Sequence, residues 1–213
     1  MKNLQDNLTT VSDAQEVMNT TNLDLTLDIC AEDGSRTRFY QSDGESVGKT
    51  LRQLISPRLF NQPLLTLASE HSVSVIPSWT IDLILAHTAS PPALPLPPQW
   101  LDIAELNGDT FQDNACACES LGAPEKTTSV VEIHTLGDWM VLLKVDIAMQ
   151  ATIQEERQFL AHFSDLPVIP FRLLEGGIGF INPPKISRVT VFPRLKGVTE
   201  TALQADLLQC IRA

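Results

Sequence analysis

Alternation of apolar and polar residues becomes sustained at Leu23, where Leu23, Leu25, Leu27 and Ile29 interleave with Asp24, Thr26 and Asp28. A period of two puts the four apolar side chains on one face of a half-buried strand. Turn chemistry at Ala31-Glu-Asp-Gly-Ser and the run Thr37-Arg-Phe-Tyr40 predict a returning strand. Ser42-Asp-Gly-Glu45 then has the spacing of a capping box, and Val47, Leu51, Leu54 and Ile55 form one helical stripe that Pro57 ends. Strands at Leu64 to Ala68 and Val73 to Ile76 follow around Glu70-His71. Thr80 to Leu85 continues in extended form beyond a bend or bulge at Pro77.

From Ser129 the order recurs. Val131 and Ile133 share one strand face, Leu136-Gly-Asp138 turns, and Trp139, Val141, Leu143, Val145 and Ile147 line the returning strand. Thr152-Ile-Gln-Glu155 repeats the capping box ahead of Ile153, Phe159, Leu160 and Phe163. Val168 to Leu174 and Ile178 to Ile181 then flank Glu175-Gly-Gly177, and Ile186 to Phe192 resumes after Pro183-Pro184. Leu25 with Val130, Phe60 with Phe163, Pro63 with Pro167 and Pro77 with Pro183 share a near-constant offset, the mark of an internal duplication. Leu203, Leu207, Leu208 and Ile211 predict a closing amphipathic helix.

These patterns predict an α+β fold of two tandem modules. Each is an antiparallel sheet of about four strands with one helix packed on it, in hairpin-helix-hairpin order. Residues 1–21 read as a mobile tail, 22–88 as the first module and 129–213 as the second with its C-terminal helix. Residues 89–128 read as a connector, because Pro91 to Pro98 can be neither an interior helix nor a central strand and Asn107 to Thr128 is polar and irregular.

Composition narrows the function. Twenty-six acidic against 15 basic residues give the 213-residue chain a net charge of −11, which repels polyphosphate, so nucleic acid is not expected as a partner. No apolar run approaches the ~20 residues of a membrane helix, and Met1 to Thr21 lacks a secretory or transit pattern. With four scattered cysteines, a cytoplasmic protein with no membrane partner is expected.

Several motifs offer chemistry and withdraw it. Gly44-Glu-Ser-Val-Gly48-Lys49-Thr50 opens a helix as a phosphate loop does, yet it is one residue short, and Asp43 and Glu45 would repel the anion. Cys116 and Cys118 could chelate a soft metal, but no second pair completes a site, and Cys30 and Cys210 stand alone. His71, His87, His134 and His162 lack metalloenzyme spacing, and no serine sits in a nucleophile elbow. Glu175-Gly-Gly-Ile-Gly179 joins two strands, so its glycines serve a hairpin turn. No catalytic residue, cofactor or metal is assigned. One charge feature remains: Lys185, Arg188, Arg194 and Lys196 lie in a stretch without acids, a candidate interaction strip unless the cations pair internally. The expected function is a non-enzymatic accessory or protein-interaction protein that takes another protein by strand addition. The alternative is a small-molecule binder or enzyme with a pocket between the modules.

Overall fold

The computed structural model describes residues 24–68, 72–98, 100–117, 126–148 and 165–192. In chain order these form β1 (Leu25–Ala31), β2 (Arg36–Gln41), α1 (Gly44–Leu54), β3 (Leu64–Ala68), β4 (Val73–Pro77) and β5 (Ile81–His87). There follow β6 (Trp100–Glu105), α2 (Gly108–Ala117), β7 (Lys126–Thr135), β8 (Met140–Ala148), β9 (Ile169–Arg172), β10 (Ile178–Ile181) and β11 (Ile186–Phe192). Short 3-10 turns, Ser78–Thr80 and Pro183–Lys185, lead into β5 and β11.

The two-module α+β expectation is overturned. Nine strands form one mixed sheet in the order β11-β7-β8-β6-β9-β10-β5-β1-β2, and β3 and β4 pair off as a separate ribbon. The hairpin β9–β10 is laid on β5, with Ile178 opposite Ala86 and Phe180 opposite Ile84, so strands late in the chain complete the sheet that the early strands begin. Only two short helices are present among the described residues. Local periodicity identified most of the strands, but the pairing of β10 with β5 is a contact between distant parts of the chain that no local period encodes.

The long sheet folds on itself. Cys30 of β1 and Leu83 of β5 share one buried cluster with Val131 and Ile133 of β7 and with Val141 and Leu143 of β8. Strands spaced ~4.8 Å apart would hold β1 and β7 far from each other in a flat sheet. The shared core therefore lies between two layers, β2-β1-β5-β10-β9 and β6-β8-β7-β11. They are joined by the single parallel bridge of Ala104 to Arg172. The outer face of the first layer carries Leu25, Leu27, Ile29, Ile84 and Phe180, covered by Val47, Leu51 and Leu54 of α1 and by Leu65, Leu67 and Ile76 of the ribbon. A smaller cluster on the outer face of the second layer joins Val130, Leu142 and Phe192 to Phe111 of α2.

Polar contacts fasten the layers where the β7–β8 turn reaches β1 and β5. The indole of Trp139 donates to the Ala31 carbonyl at 3.0 Å, and the buried Asp82 carboxylate accepts the Gly137 N–H at 2.6 Å. Within the first layer, the Asn182 amide donates to the Ile81 carbonyl at 2.7 Å. A Cβ on Gly137 would lie 2.4 Å from the Ala31 carbonyl oxygen, so only glycine admits this approach.

Smaller expectations are also revised. The first helix is capped by Asp43, whose carboxylate accepts the Ser46 N–H, one residue later than the Ser42 box predicts. A 3-10 turn after Pro77 splits the expected bent strand into β4 and β5. The stretch from Asn107, read as irregular, begins α2, with the Asn107 side chain accepting the Thr110 N–H at 2.7 Å. The Pro-rich stretch packs Leu94 and Leu96 against the inter-layer core. The expected N-terminal tail, the helix over 153–163 and the closing helix lie outside the described residues.

Candidate interaction surface

The ribbon β3–β4 is apolar on both faces. Its inner side chains Leu65, Leu67 and Ile76 are half-buried against the outer core of the first layer. Its outer face presents Leu64, Thr66, Ala68, Val73 and Val75 with no charge, and Val73 and Val75 are 66% and 52% exposed. Strands covered on both sides carry such composition, whereas a ribbon with one wet face ordinarily alternates. The Ser78 N–H donates to the Pro63 carbonyl at 3.1 Å, and Ile76 and Ser74 lie opposite Leu65 and Leu67. The even positions of β4 therefore bond β3, and the N–H and C=O groups of Val73 and Val75 point outward. Among the described residues nothing pairs with them.

Among the described residues the edge of β11 is unpaired in the same way. Thr135 donates its N–H to the Trp139 carbonyl at 3.0 Å and Leu136 donates to the Lys185 carbonyl at 2.9 Å, so odd positions of β7 bond β8 and even positions bond β11. His134, Glu132 and Val130 lie opposite Arg188, Thr190 and Phe192. The backbone groups of Val189 and Val191 thus point away from β7, while both side chains pack half-buried against the inter-layer core. The strand carries neither proline nor lysine, the usual guards of a sheet edge.

Two cations of the candidate strip, Lys185 and Arg188, pair with acids of their own chain. Lys185 Nζ lies 2.5 Å from Glu32 of the β1–β2 turn. Arg188 donates to Glu132 at 2.7 Å, and its Nη2 lies 2.6 Å from His134 Nε2, itself 2.5 Å from Glu132. Arg194 and Lys196 lie outside the described residues. Sequence reasoning did not single out Val73, Val75, Val189 and Val191. The available signal was the short, uncharged, β-branched runs Val-Ser-Val-Ile and Val-Thr-Val-Phe.

A second charged cluster lies at the other end of the sheet. Asp28, fully buried, accepts from Arg38 Nε at 2.7 Å and Nη2 at 2.9 Å, pairs also with Arg36, and faces His87 Nε2 at 3.3 Å. Burial alone would raise its pKa, but the two guanidinium groups outweigh burial and hold it well below the usual aspartate range. Beside it, burial pushes the Cys30 thiol up to about 11. This arrangement neutralises a buried carboxylate.

The remaining motifs are placed as follows. Asp43 occupies the start of α1, where a phosphate would have to sit, and Thr50 donates to Gln41 at 3.0 Å. Gly176 and Gly177 take the positive φ of the β9–β10 turn. His71, His162, Cys118 and Cys210 lie outside the described residues. Among the described residues no cluster of three or more His, Cys, Asp or Glu could hold a metal, and no helix is long and apolar enough to cross a membrane. A cleft of about 970 Å³ opens between β1–β2, α1 and the ribbon. Leu25, Leu27 and Leu67 form its floor, and Ser46, Thr50 and Gln53 its rim. No family model, curated protein or solved structure matches the chain.

Proposed function

We propose that this is a non-enzymatic interaction protein that engages an extended segment of a protein partner by strand addition. The observation that carries this reading is the uncharged ribbon β3–β4, apolar on both faces and unpaired at both edges among the described residues. Backbone pairing supplies affinity in this mode, and alternate side chains supply selectivity. Supporting it is a second open edge, β11, whose only charged side chain, Arg188, is already engaged by Glu132. Affinity capture from the native source with wild-type protein, Val75→Lys and Arg188→Glu tests it. A partner held by wild type and by Arg188→Glu but lost by Val75→Lys is the expected result. Identical capture by wild type and Val75→Lys refutes the ribbon as the contact.

The cleft beneath α1 favours a second reading, a small-molecule binder. Its volume suits a ligand, and its apolar floor and hydroxyl rim suit a neutral amphipathic molecule. Native mass spectrometry of freshly purified protein should then reveal a bound species that a Thr50→Leu variant loses.

A further inference from the structure

The two open edges match each other, and from that match we infer that the partner is a second copy of this chain. In this arrangement β4 of one copy lies antiparallel along β11 of the other, Val73 opposite Val191 and Val75 opposite Val189, and the twofold-related contact repeats it. The inference rests on the strand-addition reading and names its partner.

The molecule already contains this joint once. Leu173 donates its N–H to the Gly177 carbonyl, which assigns the odd positions of β10 to β9 and turns the backbone groups of Ile178 and Phe180 toward β5. There they meet Ala86 and Ile84, two residues apart and buried on the same face. The hairpin β9–β10 runs through the 3-10 turn Pro183–Lys185 into β11, as β3–β4 runs through Ser78–Thr80 into β5. The later hairpin is thus laid on the strand that the earlier ribbon precedes. Among the described residues the reverse pairing, ribbon on β11, is not made.

Spacing, chemistry and position all fit that reverse pairing. Val73 and Val75 turn their backbone groups outward two residues apart, and so do Val189 and Val191, so the four residues can form two pairs that each exchange both N–H···O bonds. Residues paired in this way lie on one face, which would carry the exposed Val73 and Val75 to the side of Val189 and Val191 and cover them. No charge is stranded in the joint, because Arg188 lies on the opposite face of β11 with Glu132 and His134. One chain cannot make the joint with itself in this fold. Leu65, Leu67 and Ile76 seat the ribbon on the outer core of the first layer, while β11 ends the second layer.

Sedimentation velocity on the full chain from low to high micromolar concentration tests the inference. Wild type should move from the 23.4 kDa chain toward twice that mass. Val75→Lys puts a charge in the joint, and Val191→Pro removes an outward N–H without touching the bonds to β7. Each should raise the dimer dissociation constant at least about tenfold. An equimolar mixture should dimerise again through the one contact that neither substitution touches. Hydrogen exchange on wild type gives a readout independent of how the variants fold: the amides of Val73, Val75, Val189 and Val191 should slow on concentration. Wild type that stays monomeric overturns the inference, as does a dimer in which those four amides exchange at an unchanged rate. A monomer that still captures a foreign protein through Val75 overturns the second copy alone and leaves strand addition standing. Loss of both overturns both.

Discussion

Gly179 on β10 lies opposite Phe171 on β9, and the Phe171 ring lies over the glycine, fully buried between the layers. A methyl group at residue 179 would stand 2.1 Å from Cζ of that ring and 2.4 and 2.6 Å from the two Cε atoms. Carbon atoms in contact prefer about 3.5–4.0 Å, so the ring would have to retreat by more than ~1 Å. It has nowhere open to go, which places Gly179→Ala at the upper end of overpacking costs, about 3 kcal/mol. Phe171→Leu removes the clashing ring atoms and leaves a void, a loss of about 2 kcal/mol alone. In Gly179→Ala/Phe171→Leu the new methyl occupies part of that void, so the double variant should lose about 2 kcal/mol where simple addition predicts about 5. Urea unfolding followed by tryptophan emission measures all four corners of the cycle, the chain carrying three tryptophans. A Gly179→Ala loss below about 0.5 kcal/mol, or strict additivity in the double variant, would refute the described packing of β9 on β10.

Two ionisable groups on β1 give further tests. The native pKa of Asp28 is depressed below its ordinary 3.8, so its contribution to stability is complete above that value and fades as pH falls through the native pKa. Asp28→Asn should therefore cost about 1 kcal/mol at neutral pH, modest because both arginines stay partly in water, and the gap from wild type should close in acid urea melts. A gap that is constant down to strong acid refutes the ion-pair account. Cys30, buried with its thiol held near 11, should resist alkylation at pH 8 in native protein and label only on unfolding, as peptide mass mapping would show. Native labelling at the rate of a free thiol contradicts its burial.

Much of this fold is readable along the chain, and the unreadable part has a definite physical cause. The hairpins β1–β2 and β7–β8, the stripe of α1 and the glycine turn before β10 all follow from short-range rules of period, capping and positive φ. The assembly does not, because which strand lies beside which is decided by distant surfaces that must both be buried. A clue lay in the near-continuous apolar runs Ile81-Asp-Leu-Ile-Leu-Ala and Ile178-Gly-Phe-Ile, the composition of central strands covered on both faces. Reading β1 as a half-buried strand put Asp28 on its polar side. Asp28 is fully buried, because β1 sits inside a sheet covered on each side. The partners of Lys185 and Arg188 were hidden for a related reason. Charge runs along the chain, but Lys185 and Arg188 meet Glu32 and Glu132 only after the sheet curls.

Whether the halves are independent can be decided by cutting the chain in the Pro-rich stretch. A fragment ending near Pro98 would retain β1, β2, β5, α1 and the ribbon but lose β10. The backbone groups that Ile84 and Ala86 turn to Ile178 and Phe180 would then face water, and the buried inner side of Cys30 and Leu83 would lose its opposite layer. The complementary fragment would lose the acceptors of the Trp139 indole and the Asn182 amide, and its β9–β10 hairpin would have no neighbour on one edge. A lone hairpin is at best marginal in water. Each fragment alone should therefore lack a cooperative thermal transition by circular dichroism, and the two co-expressed should recover one shared transition. A first fragment that melts cooperatively by itself would restore the tandem-module architecture and contradict the shared core, since no packing in the described fold would then require β10 to leave its own half of the chain for β5.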